Sequence, residues 1–103
     1  MEQRHSGKIA VVTGAAAGIG RAYATRLAAE GAAVAVVDLN TADQTMDAIK
    51  AAGGRAIAYR CDVSSPEAVA RLGDEVERDF GHCDILVNNA GIFPSCRFED
   101  LDL

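Results

Sequence analysis

The sequence predicts an α/β fold, a doubly wound parallel sheet with helices on both faces. Strand-like apolar runs alternate with helix-like segments in the order β-α-β-α-β-α-β along the chain, and strands separated by helices pair in parallel. The runs are almost continuously apolar, which is typical of strands buried on both faces. The chain has 103 residues, of which 50% are hydrophobic and 24% are charged, so it is long enough for one globular domain at most.

The first β-α-β unit has a glycine-rich turn between its strand and its helix. Ile19 and Leu27 belong to a helical repeat of apolar residues, and Gly31 is a typical helix stop. The next apolar run ends at Asp38. The predicted elements are a strand over 8–13, the turn over 14–20, a helix over 19–30 and a strand over 33–37.

A second helix is predicted over 41–52, with Thr41 as its candidate N-cap. Its apolar face would carry Met46, Ile49 and Ala52. A third strand is predicted over 55–61, after a pair of glycines that ends this helix.

A third helix is predicted to begin beside Ser64, which has the spacing of a capping box with Glu67. Pro66 suits the first turn of that helix, and Gly81 ends it. A fourth strand over 84–87 then leads into Asn88.

The fourth strand would be an open edge of the sheet in the strand order 3-2-1-4. A buried parallel strand left as an edge is an aggregation hazard. The final residues, 98–103, resemble the beginning of another helix. We therefore expect residues 1–103 to be the front part of a longer domain, truncated after the fourth strand.

The glycine-rich turn has the residues that a phosphate-binding turn needs. Gly14 allows a tight turn out of the strand, Gly18 allows the backbone to approach a pyrophosphate, and Gly20 allows close packing of helix on sheet. The positive end of the helix would then face the phosphates. The spacing G-x-x-x-G-x-G is weak evidence alone, because an ordinary strand–helix turn can carry it.

Asp38 strengthens the nucleotide-binding interpretation. It ends the second strand 18 residues after Gly20, where a carboxylate accepts hydrogen bonds from the ribose of adenosine; a helix cap or a solvated turn is the alternative. Its charge would repel a 2′-phosphate, so the sequence predicts NAD over NADP. Arg21 is the nearest cation, and its place inside the helix is expected to turn it towards solvent.

Charge and composition exclude several other classes of protein. The net charge of −5 and the pI near 4.8 argue against a nucleic-acid partner and against an anionic membrane surface. No apolar run approaches the roughly 20 residues of a membrane span, and residues 1–7 are polar where a secretory leader would be apolar. The expected location is the cytoplasm.

The cysteines predict neither a disulfide framework nor a metal site. Cys61, Cys83 and Cys96 are odd in number and no pair has C-x-x-C spacing. His82 stands beside Cys83, but no further ligand follows at metal-binding spacing. Three reduced structural thiols are expected.

Four ordered motifs resemble those of the short-chain dehydrogenase/reductase family. They are T-G-x-x-x-G-I-G at 13–20, the acidic strand end at Asp38, Cys-Asp-Val at 61–63 and Asn-Asn-Ala-Gly at 88–91. Together they cover essentially the whole chain. The resemblance implies a Rossmann-type sheet that binds NAD and takes part in the interconversion of an alcohol and a ketone.

The resemblance also implies a role for each matching residue. Asp38 would hold the adenosine ribose, Asp62 and Val63 would border the adenine, and Phe93 would form a wall of the substrate pocket; for Phe93 a core or loop position is an equal alternative. The residues expected along the pyrophosphate and the rest of the cofactor are Gly14, Ala17, Gly18, Ile19, Gly20, Asn89, Ala90 and Gly91.

Residues 83–94 are most similar to bacterial NAD-dependent secondary-alcohol dehydrogenases that oxidise aryl alcohols. Pyridoxal dehydrogenases of the same family look similar here. The implied substrate is a secondary alcohol or ketone, aromatic or small and hydrophobic. The complete enzyme would be a homotetramer or a homodimer.

The chain departs from the family in its catalytic residues. Family members use a tyrosine four residues before a lysine, but Leu27 and Val63 stand four residues after Tyr23 and Tyr59. We therefore expect the chain alone to be inactive, since no catalytic residue is identified. Two alternatives stay open: an inert NAD-binding fragment or interaction module, and a methyltransferase, against which the 88–91 motif argues.

Overall fold

The computed structural model describes residues 7–16 and 18–88 and contains the seven predicted elements in the predicted order. Within these residues all strand pairs are parallel, and the third strand along the chain is followed across the sheet by the second, the first and the fourth. This confirms the predicted fold class and strand order. The elements are β1 (Ile9–Thr13), α1 (Gly18–Ala29), β2 (Ala33–Asp38), α2 (Asp43–Ala51), β3 (Arg55–Arg60), α3 (Pro66–Phe80) and β4 (Ile85–Asn88).

The strand register brings the carboxyl ends of the strands to one edge of the sheet. Thr13, the last residue of β1, is opposite Val37 on one side and Asn88 on the other. Asp38 is opposite Arg60 at the end of β3. The residues that follow β1, β2 and β3 therefore emerge side by side.

Side chains alternate between the two faces of the sheet, so each face has its own core. The layer under α1 and α2 contains Ala10, Val12, Ala24, Ala28, Val34, Val36 and Ile49. The layer under α3 contains Val11, Ala35, Val37, Cys61, Val69, Leu72, Val76 and Cys83. Every residue of β1 is buried, as are Ala33 to Val37 of β2, because these two strands have a neighbour on each side and a helix layer on each face.

The β3 strand differs from the near-continuous burial that its sequence suggests. It is one of the two outer strands of the described sheet, and it leaves Ile57 and both terminal arginines exposed. Tyr59 donates a hydrogen bond to Asp79 of α3 at 2.6 Å. Burial and this carboxylate raise the pKa of Tyr59 above its ordinary value. Charged ends are a usual protection for such an edge.

Both predicted side-chain caps are wrong by one residue. Helix α2 has Ala42 at its N-cap without a side-chain hydrogen bond, so Thr41 lies too early in the chain to cap it. Helix α3 is capped by Ser65, whose Oγ accepts from the Ala68 N–H at 3.2 Å. Pro66 takes the first helical position, which makes the residue before it the cap and leaves Ser64 outside the helix.

Asp84 links β4 to β1 at the amino ends of the two strands. Its N–H donates to the Ile9 carbonyl, and its Oδ2 accepts from the Ile9 N–H, both at 2.8 Å. His82 Nε2 lies 2.9 Å from the same oxygen. Burial raises the pKa of Asp84, but the Ile9 N–H and His82 outweigh it and hold the pKa below its ordinary value.

Within residues 7–16 and 18–88, no helix is long and apolar enough to cross a membrane. In the same residues no three His, Cys, Asp or Glu side chains lie close enough together to hold a metal ion. Cys61 and Cys83 are buried and are not joined in a disulfide. Burial raises the pKa of Cys61.

Candidate functional site

The motif residues that follow β1, β2 and β3 meet around one small cavity at the carboxyl edge of the sheet. In doubly wound folds this edge is where ligands bind. The cavity has a volume of about 160 Å³. Its lining residues are Gly14, Asp38, Leu39, Cys61, Asp62 and Val63.

The glycine-rich turn contains two glycines in the left-handed conformation. Gly14 and Gly18 have φ of 64° and 60°, a left-handed conformation that other residues adopt at a cost. A Cβ built on Gly18 would meet no atom of residues 7–16 and 18–88 within 4 Å, so among these residues the turn is open on that side. The first N–H groups of α1 have no partners within the helix and carry its positive dipole end. This arrangement suits a phosphate group.

Ile19 and Gly20, in the first turn of α1, differ in exposure. The Ile19 side chain is 66% exposed, so its backbone and not its side chain would serve a ligand. Gly20 is buried, in agreement with its predicted role in packing the helix closely on the sheet.

The Ala15 residue of the turn is fixed by two other elements. Its N–H donates to the Val37 carbonyl of β2 at 3.1 Å. Its carbonyl accepts a 2.6 Å hydrogen bond from Thr45 Oγ1 of α2. Ala15 and Thr45 are both fully buried, so the turn rests on β2 and α2 together.

Arg21 does not face solvent, contrary to the sequence expectation. It is partly buried, and its Nη2 donates to the Ala16 carbonyl at 2.7 Å. Helical side chains lean towards the N-terminus of their helix, so an arginine in the first turn reaches back over the glycine-rich turn. Its buried Nε has no acceptor among the described residues. Arg21 borders a second, wider cleft of about 470 Å³, lined by Ala16, Arg21, Asn40, Thr41, Asp43 and Gln44.

The Asp38 carboxylate lines the smaller cavity and is held by backbone donors of two residues that line the wider cleft. Its Oδ2 accepts from the Ala16 N–H, and its Oδ1 accepts from the Asn40 N–H, both at 2.9 Å. A carboxylate oxygen has about two acceptor positions, so each oxygen can take one more donor. The carboxylate is thus oriented for a ligand with two neighbouring hydroxyl groups.

Asp62 provides a second carboxylate, besides that of Asp38, at the smaller cavity. Its Oδ1 accepts from the hydroxyl and the N–H of Ser64, at 2.5 Å and 3.0 Å. These two hydrogen bonds lower the pKa of Asp62. Val63 is half-buried beside it. Together they provide a polar and an apolar contact for a flat heterocycle.

Reasoning from the sequence misses two residues of the site and predicts the wrong orientation for a third. Leu39 is 59% exposed and lines the smaller cavity; its signal is a large apolar residue just beyond a strand end. Thr45 is one helical turn before Ile49 on the buried face of α2, and a polar residue on that face was the available signal. Arg21 was recognised as a cation but given the wrong direction.

Several predicted site residues lie outside the described residues. Ala17, Asn89, Ala90, Gly91 and Phe93 belong to this group, together with Cys96. The structure describes β4 as far as Asn88, whose backbone reaches the same edge of the sheet as Thr13.

A further cavity, of about 260 Å³, lies at the opposite edge of the sheet. It is bordered by the ends of α1 and α2 and contains Gly31, Gly53 and Arg55. None of the predicted site residues lines it, and helix carboxyl ends offer carbonyl groups where a phosphate needs N–H donors. The carboxyl edge is therefore the candidate site.

Comparison with known protein families assigns the chain to a family. Residues 8–103 match the sequence model of the short chain dehydrogenase family. The chain belongs to this family. The match confirms the resemblance carried by the four motifs, and it covers more than nine tenths of the sequence.

Curated relatives are longer than this chain. The 7alpha-hydroxysteroid dehydrogenase of Escherichia coli K12 is 46% identical over 90 residues, which are 85% of this chain and 35% of the relative. The D-threitol dehydrogenase of Mycolicibacterium smegmatis is 42% identical over 102 residues, which are 97% of this chain and 39% of the relative. The chain spans between 33% and 42% of the length of these and similar curated relatives.

Solved structures of the family share the fold. An NAD⁺-bound xylitol dehydrogenase superposes with a TM-score of 0.81 at 46% identity, over 85% of this chain and 35% of that one. A 7alpha-hydroxysteroid dehydrogenase in complex with NADH and 7-oxo glycochenodeoxycholic acid gives 0.80 at 43% identity, over 84% and 35%. Both support the α/β fold described above.

Proposed function

We propose that this chain is the NAD-binding Rossmann portion of an oxidoreductase that interconverts a secondary alcohol and a ketone. The observation that carries the proposal is the Asp38 carboxylate, held by one backbone N–H on each oxygen at the rim of an open cavity. Family membership supports it, because several matched structures hold NAD or NADH.

The described residues fit the adenosine half of NAD. Asp38 would accept from the two ribose hydroxyls, and Asp62 would accept from the exocyclic amine of adenine. Leu39 and Val63 would contact the faces of the ring. The open side of Gly18, together with the N–H groups of the first turn of α1, would receive the pyrophosphate.

The remaining cofactor contacts follow from the family alone. Ala17, Asn89, Ala90 and Gly91 would complete the cofactor groove, and Phe93 would border the substrate. These residues lie outside the described part of the chain, so their roles stay predictions.

Preference for NAD over NADP would depend on the charge of Asp38. A 2′-phosphate would stand against this carboxylate, and like charges in contact near a protein surface repel strongly. Arg21 is closer to this region than its sequence position suggests: its Nη2 donates to the Ala16 carbonyl, and its Nε has no acceptor among the described residues. The preference would therefore depend on the repulsion by Asp38 set against the attraction by Arg21.

NAD supplies a hydride acceptor when it is bound, and the chain supplies its binding and orientation. Tyr59 is an unsuitable acid–base residue, because burial and the hydrogen bond to Asp79 raise its pKa above the ordinary tyrosine value. A catalytic tyrosine needs a pKa nearer to the working pH. The Tyr-x-x-x-Lys pair of the family would thus come from outside residues 1–103.

Relatives named for steroid, threitol and xylitol substrates support an alcohol as the reacting group. An aromatic or small hydrophobic substrate, a homotetrameric or homodimeric assembly and a cytoplasmic location stay predictions. No nucleic acid or membrane partner is proposed.

The test uses the protein as its gene encodes it. Formation of NADH is followed with a panel of secondary alcohols, aryl alcohols included, and the intact mass and a peptide map are recorded. Turnover, together with a Tyr-x-x-x-Lys peptide, supports the enzyme. NAD binding without turnover of any alcohol supports the inert binding fragment instead, and the absence of NAD binding refutes both.

A further inference from the structure

We propose that Thr45 is a positioning residue that sets the Asp38 carboxylate through a single peptide group of the glycine-rich turn. The inference rests on the proposed function, because its consequence is the strength of NAD binding. Thr45 lies on α2 and lines neither of the two cavities at the site. It would therefore act on the ligand only through Asp38.

One planar group links the two side chains. The Ala15 carbonyl and the Ala16 N–H belong to the same peptide bond, and in a trans peptide they point in opposite directions. Thr45 Oγ1 donates to the oxygen end at 2.6 Å. Asp38 Oδ2 accepts from the hydrogen end at 2.9 Å. The orientation of this plane is therefore fixed from both ends.

Burial makes the Thr45 hydrogen bond difficult to replace. Thr45 and Ala15 have no exposed surface, so water does not reach the carbonyl if the hydroxyl is removed. A buried carbonyl without its donor is costly. The peptide group would then rotate towards another donor, and its N–H would turn away from Asp38.

The hydrogen bond from Thr45 to the Ala15 carbonyl also strengthens the hydrogen bond from the Ala16 N–H to Asp38. A hydroxyl that donates to a carbonyl polarises the amide, so the N–H at the other end becomes a better donor. The Ala16 N–H thereby holds Asp38 Oδ2 in place. The free acceptor positions of the carboxylate then point to where the ribose hydroxyls would bind.

The test compares Thr45→Val, Thr45→Ser and the control Thr25→Val. Thr25 Oγ1 also donates to a backbone carbonyl, that of Arg21, at 2.9 Å, but within its own helix. Loss of one buried hydrogen bond predicts that Thr45→Val weakens NAD binding about tenfold. Serine keeps the hydroxyl, so Thr45→Ser is expected to stay within about threefold of the wild type, and Thr25→Val is expected to bind as the wild type does.

A double-mutant cycle separates positioning from general destabilisation. In an Asp38→Asn background, Thr45→Val is expected to change NAD binding by less than about twofold, because the carboxylate through which it acts is absent. An equal loss in both backgrounds would overturn the proposal. So would unchanged binding in Thr45→Val.

A second readout needs no ligand. The Ala16 amide proton is followed by NMR hydrogen exchange in the wild type and in each threonine variant. We expect its exchange in Thr45→Val to be about tenfold faster than in Thr25→Val. Equal rates would overturn the positioning role whether or not NAD binds. If the wild type binds no NAD, the proposed function fails while this measurement still decides the role of Thr45.

Discussion

Replacement of Asp38 by asparagine perturbs the candidate site with little change in size. In the wild type each oxygen of the Asp38 carboxylate accepts one backbone N–H, from Ala16 and from Asn40. An amide has one oxygen and one NH₂ group. Asp38→Asn therefore places a donor against one of these N–H groups and offers a neutral acceptor to the ribose.

The magnitude follows from the hydrogen bonds that are lost. A hydrogen bond to a charged group is worth about 1.5–3 kcal/mol, so loss of the ionic contact to the ribose predicts NAD binding about 10- to 150-fold weaker. NADP should behave differently, because the variant also removes the repulsion of its 2′-phosphate. The ratio of the two dissociation constants is expected to fall to within about tenfold of unity.

The assay is calorimetric titration of the encoded protein with NADH and NADPH. Asp47→Asn is the matched control, because Asp47 is an exposed residue of α2 and its replacement removes the same charge without touching the site. An unchanged preference for NADH in Asp38→Asn would refute the role of the carboxylate. An equal shift of the ratio of the dissociation constants in Asp38→Asn and Asp47→Asn would show that net charge alone causes the effect.

Three further predictions concern the turn, a helix cap and the sheet. Gly18→Ala and Gly81→Ala both place a side chain at positive φ, 60° and 88°, and each variant is expected to lose about 1–2 kcal/mol of stability. Only Gly18→Ala should also weaken NAD binding, by more than about tenfold. Equal losses of NAD binding in the two variants would contradict the site. Ser65→Ala is expected to lower the free energy of unfolding by about 1 kcal/mol in a denaturant titration, whereas Ser64→Ala should leave the α3 cap intact. Burial raises the pKa of Asp84, but its hydrogen bonds outweigh burial and hold the pKa in the folded protein below that in the unfolded chain. The ionised Asp84 therefore stabilises the fold above the unfolded pKa, and this stabilisation is lost as the pH falls through the folded pKa. Asp84→Asn should therefore flatten the decline of the melting temperature between about pH 5 and pH 2; an unchanged slope would show that the contact does not act.

The fold and the position of the site could be predicted because they depend on local patterns and on a general rule of topology. The apolar runs of β1 and β2 and the alternation with helices are sufficient for a parallel sheet. Once the sheet is parallel, the residues that follow its strands share one edge. This rule places Gly14 and Asp38 at one edge from the sequence pattern, whereas the site role of Asp62 comes from the family resemblance.

The supporting contacts depend on tertiary packing, which local patterns do not contain. The direction of Arg21 depends on how α1 begins against the turn, and the contact of Thr45 depends on how α2 packs against a residue 30 positions earlier. The caps depend on helix starts, which shifted by one or two residues from the expected positions. The exposure of β3 depends on its place at the edge of the sheet, where a pattern of apolar residues is ambiguous.

A crystal structure of the encoded protein with NAD tests the central claim most directly. We expect both hydroxyls of the adenosine ribose to lie within hydrogen-bond distance of Asp38. The adenine should lie between Leu39 and Val63, and the pyrophosphate should lie against the open side of Gly18. A dinucleotide whose ribose lies away from Asp38, or which occupies the cavity beside Gly31 at the other edge of the sheet, would contradict it.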